Sequence, residues 1–266
     1  MKPILFDFGR FQLHSFGLMV ALGFLGGTWL AARRARVAGL DPAAVQDIVY
    51  PWLLVGGLLG ARILYVVSYW DRDFAGHPWT DALAIWKGGL VFYGGLIGAV
   101  AAGVVGIRRR GLPLWRTADA LTPGLALGHV FGRIGCLLNG CCFGNACTMP
   151  WAVRYPDGHE THGAAVHPTQ VYEALLNLAL CGLLVWWHDR RRRFDGQVFA
   201  LYLMAYAVVR SVCEAFRGDY VFLGAPKSGL FTPGQATSVG IFAAGVVAWL
   251  VLSLRAKPEP KSQARP

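Results

Sequence analysis

The chain is expected to fold as an all-α, polytopic membrane protein with seven transmembrane helices, its N-terminus outside and its C-terminus inside. Composition is the first reason: 55% of the 266 residues are hydrophobic and 15% are charged, where water-soluble domains carry about a quarter charged residues. So apolar a surface needs lipid to cover it. Length is the second. Seven windows, at 15–31, 47–68, 89–107, 117–138, 168–187, 197–215 and 235–254, are long enough to cross about 30 Å of hydrocarbon as helix. Charge is the third: the connections carry 3, 2, 4, 1, 4 and 2 Lys or Arg in chain order, with 2 before the first span and 4 after the last. Under the positive-inside rule the richer segments are cytoplasmic, which requires an odd number of spans.

The chain reads as a single seven-helix transmembrane domain over residues 1–254, followed by a short, polar, Pro-bearing cytoplasmic tail, 255–266, expected to be disordered. The start MKPILFDFGRFQLHSFGLMV has no basic region leading into an apolar stretch and a cleavage site, so the first span is expected to insert uncleaved. The net charge of +10 then reads as topology signals and contacts to anionic membrane lipids, not as a nucleic-acid surface. No nucleic-acid partner is expected.

With span directions assigned, polar residues acquire depths. The first span carries His14 at its outer end, and the second carries Arg62 past the midplane. Tyr93 lies in the outer half of the third, in GGLVFYGGLIGA. The fourth rises through Arg133 to Asn139 and a run of cysteines, in GRIGCLLNGCCFG. The fifth opens on HPTQVYE, which puts His167, Gln170, Tyr172 and Glu173 near its outer end. The sixth places Tyr206, Arg210 and Glu214 in its outer half. All of these point to one side of the membrane.

A buried arginine costs at least about 2.5 kcal/mol on insertion scales, so three of them must face protein, water or an anion. Arg210 and Glu214, at i, i+4, have the spacing of a self-neutralising pair. Arg133 has no acid within a turn. Guanidinium groups left in excess near one leaflet suit a phosphate, whose oxygens match the planar fork. A phospholipid headgroup is the ligand that implies. Glycines in the third and fourth spans, among them Gly94, Gly98, Gly135, Gly140 and Gly144, allow close helix approach or a broken helix lining a cavity.

Cys136, Cys141, Cys142 and Cys147 form no CxxC pair, so neither a structural zinc site nor any cofactor is expected, although an oxidising compartment would permit a disulfide. Cys181 and Cys213 read as small hydrophobes. His159, His162 and His167 in one loop, with His77 elsewhere, invite a metal reading against the commoner solvated one. Two rival functions follow from these features: a membrane thiol oxidoreductase using the outer cysteines, and a lipid or ion transporter using the buried arginines. The inner halves of the spans are almost purely apolar, which favours chemistry at one leaflet.

Taken together, HSFGLM, GGLVFYGGLIGA, GRIGCLLNGCCFG, HPTQVYE, YAVVRSVCEAFR and PGQ resemble, in order and spacing, the bacterial prolipoprotein diacylglyceryl transferases. The resemblance implies transfer of the diacylglyceryl group of phosphatidylglycerol to the lipobox cysteine thiol at the prolipoprotein signal peptide. A thioether forms and glycerol phosphate leaves, at the outer leaflet of the bacterial cytoplasmic (inner) membrane. Arg133, Asn139 and Gly144 match the family's GRxGNFxNxExxG signature, and Tyr206, Arg210 and Glu214 match its sixth-span residues. His14, His167, Gln170, Tyr172, Glu173 and Arg62 also match. Four positions depart: Phe16 stands where the family has an aromatic hydroxyl, Tyr93 where it has a histidine, Cys136 for the signature's first asparagine and Cys141 for its glutamate.

Arg133 and Arg210 are expected to be the phosphate-binding catalytic groups, with Glu214 orienting Arg210 and Tyr93 relaying a proton. Asn139, Gly144, His14, Tyr206, His167 and Arg62 are the expected substrate-binding set. His14 and His167 are rival bases, with pKa values nearer operating pH than a phenol.

Overall fold

The computed structural model describes residues 1, 3–7, 12–219 and 232–256; residues 220–231 and most of the expected tail lie outside them. Arg255, assigned to that tail from the sequence, is instead the last residue of a helix. The chain forms two compact units, one of residues 31–117 and one of residues 1–30 with 118–266.

Helix α1, Ser15–Val37, ends on Arg34 and Arg36, cations suited to the negative end of the helix dipole. Asp41 caps α2, Pro42–Ile48, its carboxylate accepting from Ala43 N at 3.0 Å and Ala44 N at 3.3 Å, with Pro42 in the first turn. Pro51 has no N–H for an α-helical bond, and the chain passes it through a π-helical turn, Val49–Leu54, before α3, Val55–Ser68. Residues 42–68 thus make one continuous apolar span. Helix α4 runs Phe92–Arg109. It starts later than the sequence window because Gly88 and Gly89 adopt φ of +84° and +73°, which end any right-handed helix. In this unit α3 and α4 touch through glycine: a Cβ on Gly60, Gly94 or Gly98 would run into facing backbone. These glycines serve close packing.

The other unit holds β1, Ile4–Asp7, and β2, Gln12–His14, an antiparallel pair leading into α1. It continues through α5, Leu114–Asn139, then β3, Val153–Arg154, and β4, Ala165–Val166. Helices α6, Thr169–Arg190, α7, Gln197–Phe216, and α8, Pro233–Arg255, complete it. Two small antiparallel strand pairs accompany the helices, short segments whose backbone groups pair with each other. Its core is Leu30, Ala126, Leu180, Leu184, Val198 and Tyr202, joined by Cys181. Asp119, a charge inside the fourth window that sequence analysis passed over, is fully buried and accepts from Gly196 N at 2.8 Å and Phe199 N at 2.9 Å. It satisfies the orphan donors at the start of α7.

Six helices among the described residues are long and apolar enough to cross a membrane. The helices also turn Ile63, Val67, Ile97, Leu175, Val239 and Val247 outward, each more than half exposed. Water would not cover such faces cheaply. This is a multi-pass membrane protein. The expected third span corresponds to α4, whose 18 residues end on Arg108 and Arg109 and which is not among those six.

Candidate functional site

The site is assembled by the segment that follows α5. Gly144 N donates to His167 O at 2.9 Å, Asn145 N to Phe216 O at 2.9 Å, His167 N to Asn145 O at 2.9 Å and Gly218 N to Phe143 O at 3.2 Å. This backbone seam ties the end of α5 to the start of α6 and the end of α7. A Cβ on Gly144 would lie 2.7 Å from His167 O and 2.8 Å from Phe216 O, so only glycine lets the strands approach this closely. Gly144, expected as a substrate-binding position, has this joint as its observed setting.

The seam brings polar stripes of three helices together. Arg133 of α5 places Nη2 2.9 Å from Glu173 Oε1 of α6, and Arg210 of α7 places Nη1 3.6 Å from the other oxygen, Glu173 Oε2. Arg210 Nη2 is also 2.7 Å from Glu214 Oε2, and Arg217 Nη1 is 3.8 Å from the same oxygen. Arg217 forks onto Asp219, with Nε 2.8 Å from Oδ1 and Nη2 2.8 Å from Oδ2. Glu214 is fully buried and Glu173 nearly so, while Arg133 and Arg210 keep 20% and 17% of their side chains exposed. The arginines are the accessible partners.

The Arg210–Glu214 contact is short but off the line that a hydrogen bond needs, since both Glu214 oxygens lack a directed donor. The attraction is coulombic. Gly234 in the first turn of α8 approaches this carboxylate so closely that a Cβ there would sit 2.6 Å from Glu214 Cδ. The positive end of α8 therefore adds to its stabilisation, which gives the PGQ motif a physical role.

Two expectations need correction here. Arg133, without an acid within a turn of its own helix, finds Glu173 on another. The expected surplus of guanidinium also disappears, because Arg133, Arg210 and Arg217 meet Glu173, Glu214 and Asp219, three cations against three anions. What the site offers an anion is donors, since each guanidinium carries five N–H groups. Buried pairs of this kind cost about 3–5 kcal/mol to break from one side.

Tyr206 stacks on His129 with ring centroids 4.9 Å apart, and its phenol interacts with Arg133. Asn139 ends α5, exposed, beside the Cys141 thiol. His167 Nδ1 lies 3.2 Å from Tyr172 Oη. His14 is exposed at the end of β2, and Phe16 packs against Gly135, where a Cβ would be 3.1 Å from its ring. In the other unit Tyr93 stands on the first turn of α4, 58% exposed. Arg62, expected at a substrate, donates to four backbone carbonyls: Nε to Ala82 O, Nη1 to Gly88 O and Gly89 O, and Nη2 to Asp81 O, at 2.7–3.0 Å.

Glu173, legible in the sequence only as a polar residue at a span end, and Arg217, not singled out there, are both part of this cluster. The signal was periodicity: His129, Arg133 and Cys136, then Gln170, Glu173 and Asn177, then Arg210, Glu214 and Arg217 each follow i, i+3 or i+4, i+7, one face of a helix. Of the loop histidines, His159 is committed to Gly140 O at 2.7 Å. Cys142 has its thiol pKa lowered by hydrogen bonds from the Cys136 and Cys141 thiols, then by Arg217 and Arg133. Beside Arg133 a cleft of about 260 Å³ opens between α5 and α6, walled by Val130, Ile134, Leu137, Val171 and Leu175.

A helical multi-pass protein with a knot of ionised groups opening onto an apolar cleft belongs to the class that handles charged groups within lipid. The family model for prolipoprotein diacylglyceryl transferase matches residues 3–251. A phosphatidylglycerol–prolipoprotein diacylglyceryl transferase of Legionella pneumophila (strain Corby) is 34% identical over 94% of this chain and 96% of its own length. Proteins of the same name from Nitratidesulfovibrio vulgaris (strain Miyazaki F), 35% identical over 97% of this chain and 96% of theirs, and Synechococcus elongatus, 33% over 97% and 90%, agree. The chain belongs to the prolipoprotein diacylglyceryl transferase family.

Proposed function

We propose that this protein transfers the diacylglyceryl group of phosphatidylglycerol to the lipobox cysteine of a prolipoprotein, at the outer leaflet of the bacterial cytoplasmic membrane. Seven spans with the N-terminus outside, α4 being the third, put the site on that side. The observation that carries the reading is the sharing of Glu173: arginines from α5 and α7 reach the two oxygens of one α6 carboxylate, so their donors converge where one phosphate can sit. The apolar cleft beside Arg133 suits an acyl chain.

In the reaction the acceptor thiolate attacks the glycerol carbon bonded to the phosphate oxygen. The C–S bond forms, that C–O bond breaks, and glycerol phosphate leaves with the electron pair. The thiol proton is released to a base. A thiol of pKa about 8.5 is mostly protonated at neutral pH, so cations near the nucleophile favour the reactive form. Arg133 and Arg210 stabilise the departing phosphate, and Glu214, held by α8, orients Arg210. Asn139 and Tyr206 contact the headgroup. Tyr93 relays the proton, with His14 and His167 as competing bases.

The test is transfer of radiolabelled diacylglyceryl from phosphatidylglycerol to a lipobox peptide by purified protein. Arg133→Ala with full turnover would sink the phosphate clamp. Tyr93→Phe with unchanged rate would remove Tyr93 from proton transfer. Complementation of a strain depleted of its own diacylglyceryl transferase tests the reaction class.

A further inference from the structure

The two cysteines that depart from the family signature, Cys136 and Cys141, are brought together with Cys142 by the fold. The sulfur atoms of Cys136, Cys141 and Cys142 all lie within 4.8 Å of one another, and all three are free thiols. No CxxC spacing announces this arrangement. Cys136 is on the last turn of α5; Gly140, at φ +83°, reverses the chain, with Gly140 N and Cys141 N both donating to Cys136 O at 2.9 and 3.1 Å. Two side chains of α6 then hold the returning segment: Gln170 Nε2 donates to Cys141 O at 2.7 Å and Thr169 Oγ1 to Cys142 O at 2.6 Å. Cys142 adopts φ +61°, a conformation costing a non-glycine residue about 1–3 kcal/mol, and in it the sulfur joins the other two.

We propose that Cys136, Cys141 and Cys142 bind one thiophilic divalent cation of the zinc type through three sulfurs, leaving a fourth position open to the acceptor thiol. Zinc–sulfur bonds of about 2.3 Å put tetrahedral sulfur ligands about 3.8 Å apart, a small contraction of the observed cluster. Three thiolates and a divalent ion carry one net negative charge. Arg217 balances it, with Nη2 3.7 Å from Cys142 sulfur, and Arg217 also touches Glu214, the partner of Arg210. The metal site and the arginine site are thus joined side chain to side chain. Three protein ligands with one open position is the pattern of a working zinc site, and a metal-bound thiol is deprotonated outright. This part rests on the transfer reaction proposed above, and it answers the absence of the family's usual groups at Phe16, Tyr93 and Cys141. The acceptor thiol would bind the metal and give its proton to the base of the reaction above; its sulfur would then attack the glycerol carbon as the C–O bond to phosphate breaks and glycerol phosphate leaves with the electron pair.

The experiment uses full-length protein in detergent, reduced, stripped with a chelator and titrated with Cd²⁺. We expect one equivalent bound, with a thiolate-to-metal charge-transfer band. Replacing Cys136, Cys141 or Cys142 by Ser should weaken binding by at least the roughly 10–100-fold that even outer partners of a metal ligand are worth, while Cys181→Ser should leave it unchanged. A lipobox peptide should strengthen the band and its Cys→Ser version should not. Absence of the band in wild type, its persistence in the triple serine variant, or a disulfide among the three thiols in protein isolated from membranes overturns the site. An unchanged band with the lipobox peptide overturns the open position. Metal binding without transfer activity would mean the reaction is misassigned and the site stands; transfer that survives complete removal of metal would mean the reverse.

Discussion

Two regions of the molecule bury arginine in opposite ways. In the unit of residues 31–117, Arg62 gives its donors to four neutral carbonyls and lies 5.4 and 5.5 Å from the Tyr65 and Phe74 ring centres. In the other unit, Arg133 and Arg210 lean on shared carboxylates and keep part of their surface open. Carbonyl dipoles saturate the fork and pin the loop that supplies them. A carboxylate shared by two cations leaves donors unused and sets their spacing, which the proposed function assigns to an incoming phosphate. The first arrangement is a clamp and the second a socket.

The sharpest way to break this contrast is Arg210→Ala, which should lower the turnover of the folded protein by about 10²–10³-fold, the size of losing a charge-stabilising donor, beside the lower melting temperature in detergent that a broken buried pair brings. Equal loss from Arg62→Ala at unchanged melting temperature would erase the distinction. Instead, Arg62→Ala should destabilise by about 2–4 kcal/mol, because several carbonyls lose their donor at once, and the folded fraction should keep its turnover.

Gly234→Ala should come next, at about 1–3 kcal/mol of overpacking. Its Cβ would displace the Glu214 carboxylate, so KM for phosphatidylglycerol should rise as well. An unchanged KM would separate Glu214 from the socket. Smallest is Arg110→Ala, which breaks an ion pair to Asp47 with both side chains about half exposed. It should cost under about 1 kcal/mol, and a larger shift in melting temperature would show that exposed pairs here are not screened.

The spans were legible because lipid imposes a composition and a length that no local packing can hide. Their edges were less so: α4 begins at Phe92 because of two positive-φ glycines, a backbone property that hydropathy does not register. Within the site, Arg133, Arg210 and Glu214 stood out as charges in apolar runs. Glu173 and Arg217 were equally regular on their helical faces but lay near span ends, where a charge raises no alarm. The surplus of positive charge was inferred by seeking acids only along the same helix, and the acid for Arg133 came from α6. Asp119 was overlooked for want of a partner in sequence; its partners are backbone N–H groups of α7.

Sequence by itself determined that this chain lives in a membrane, which family it belongs to and which residue types stand at the polar end of each helix. Those follow from transfer free energies and from spacing along one helix, both local quantities. Which acid neutralises which arginine, and that Cys136, Cys141 and Cys142 share one point, were decided by tertiary structure. A backbone seam through Gly144 and two bonds from Thr169 and Gln170 set those distances. Contacts between helices depend on where a turn returns the chain, and a pattern read along one helix carries no record of it.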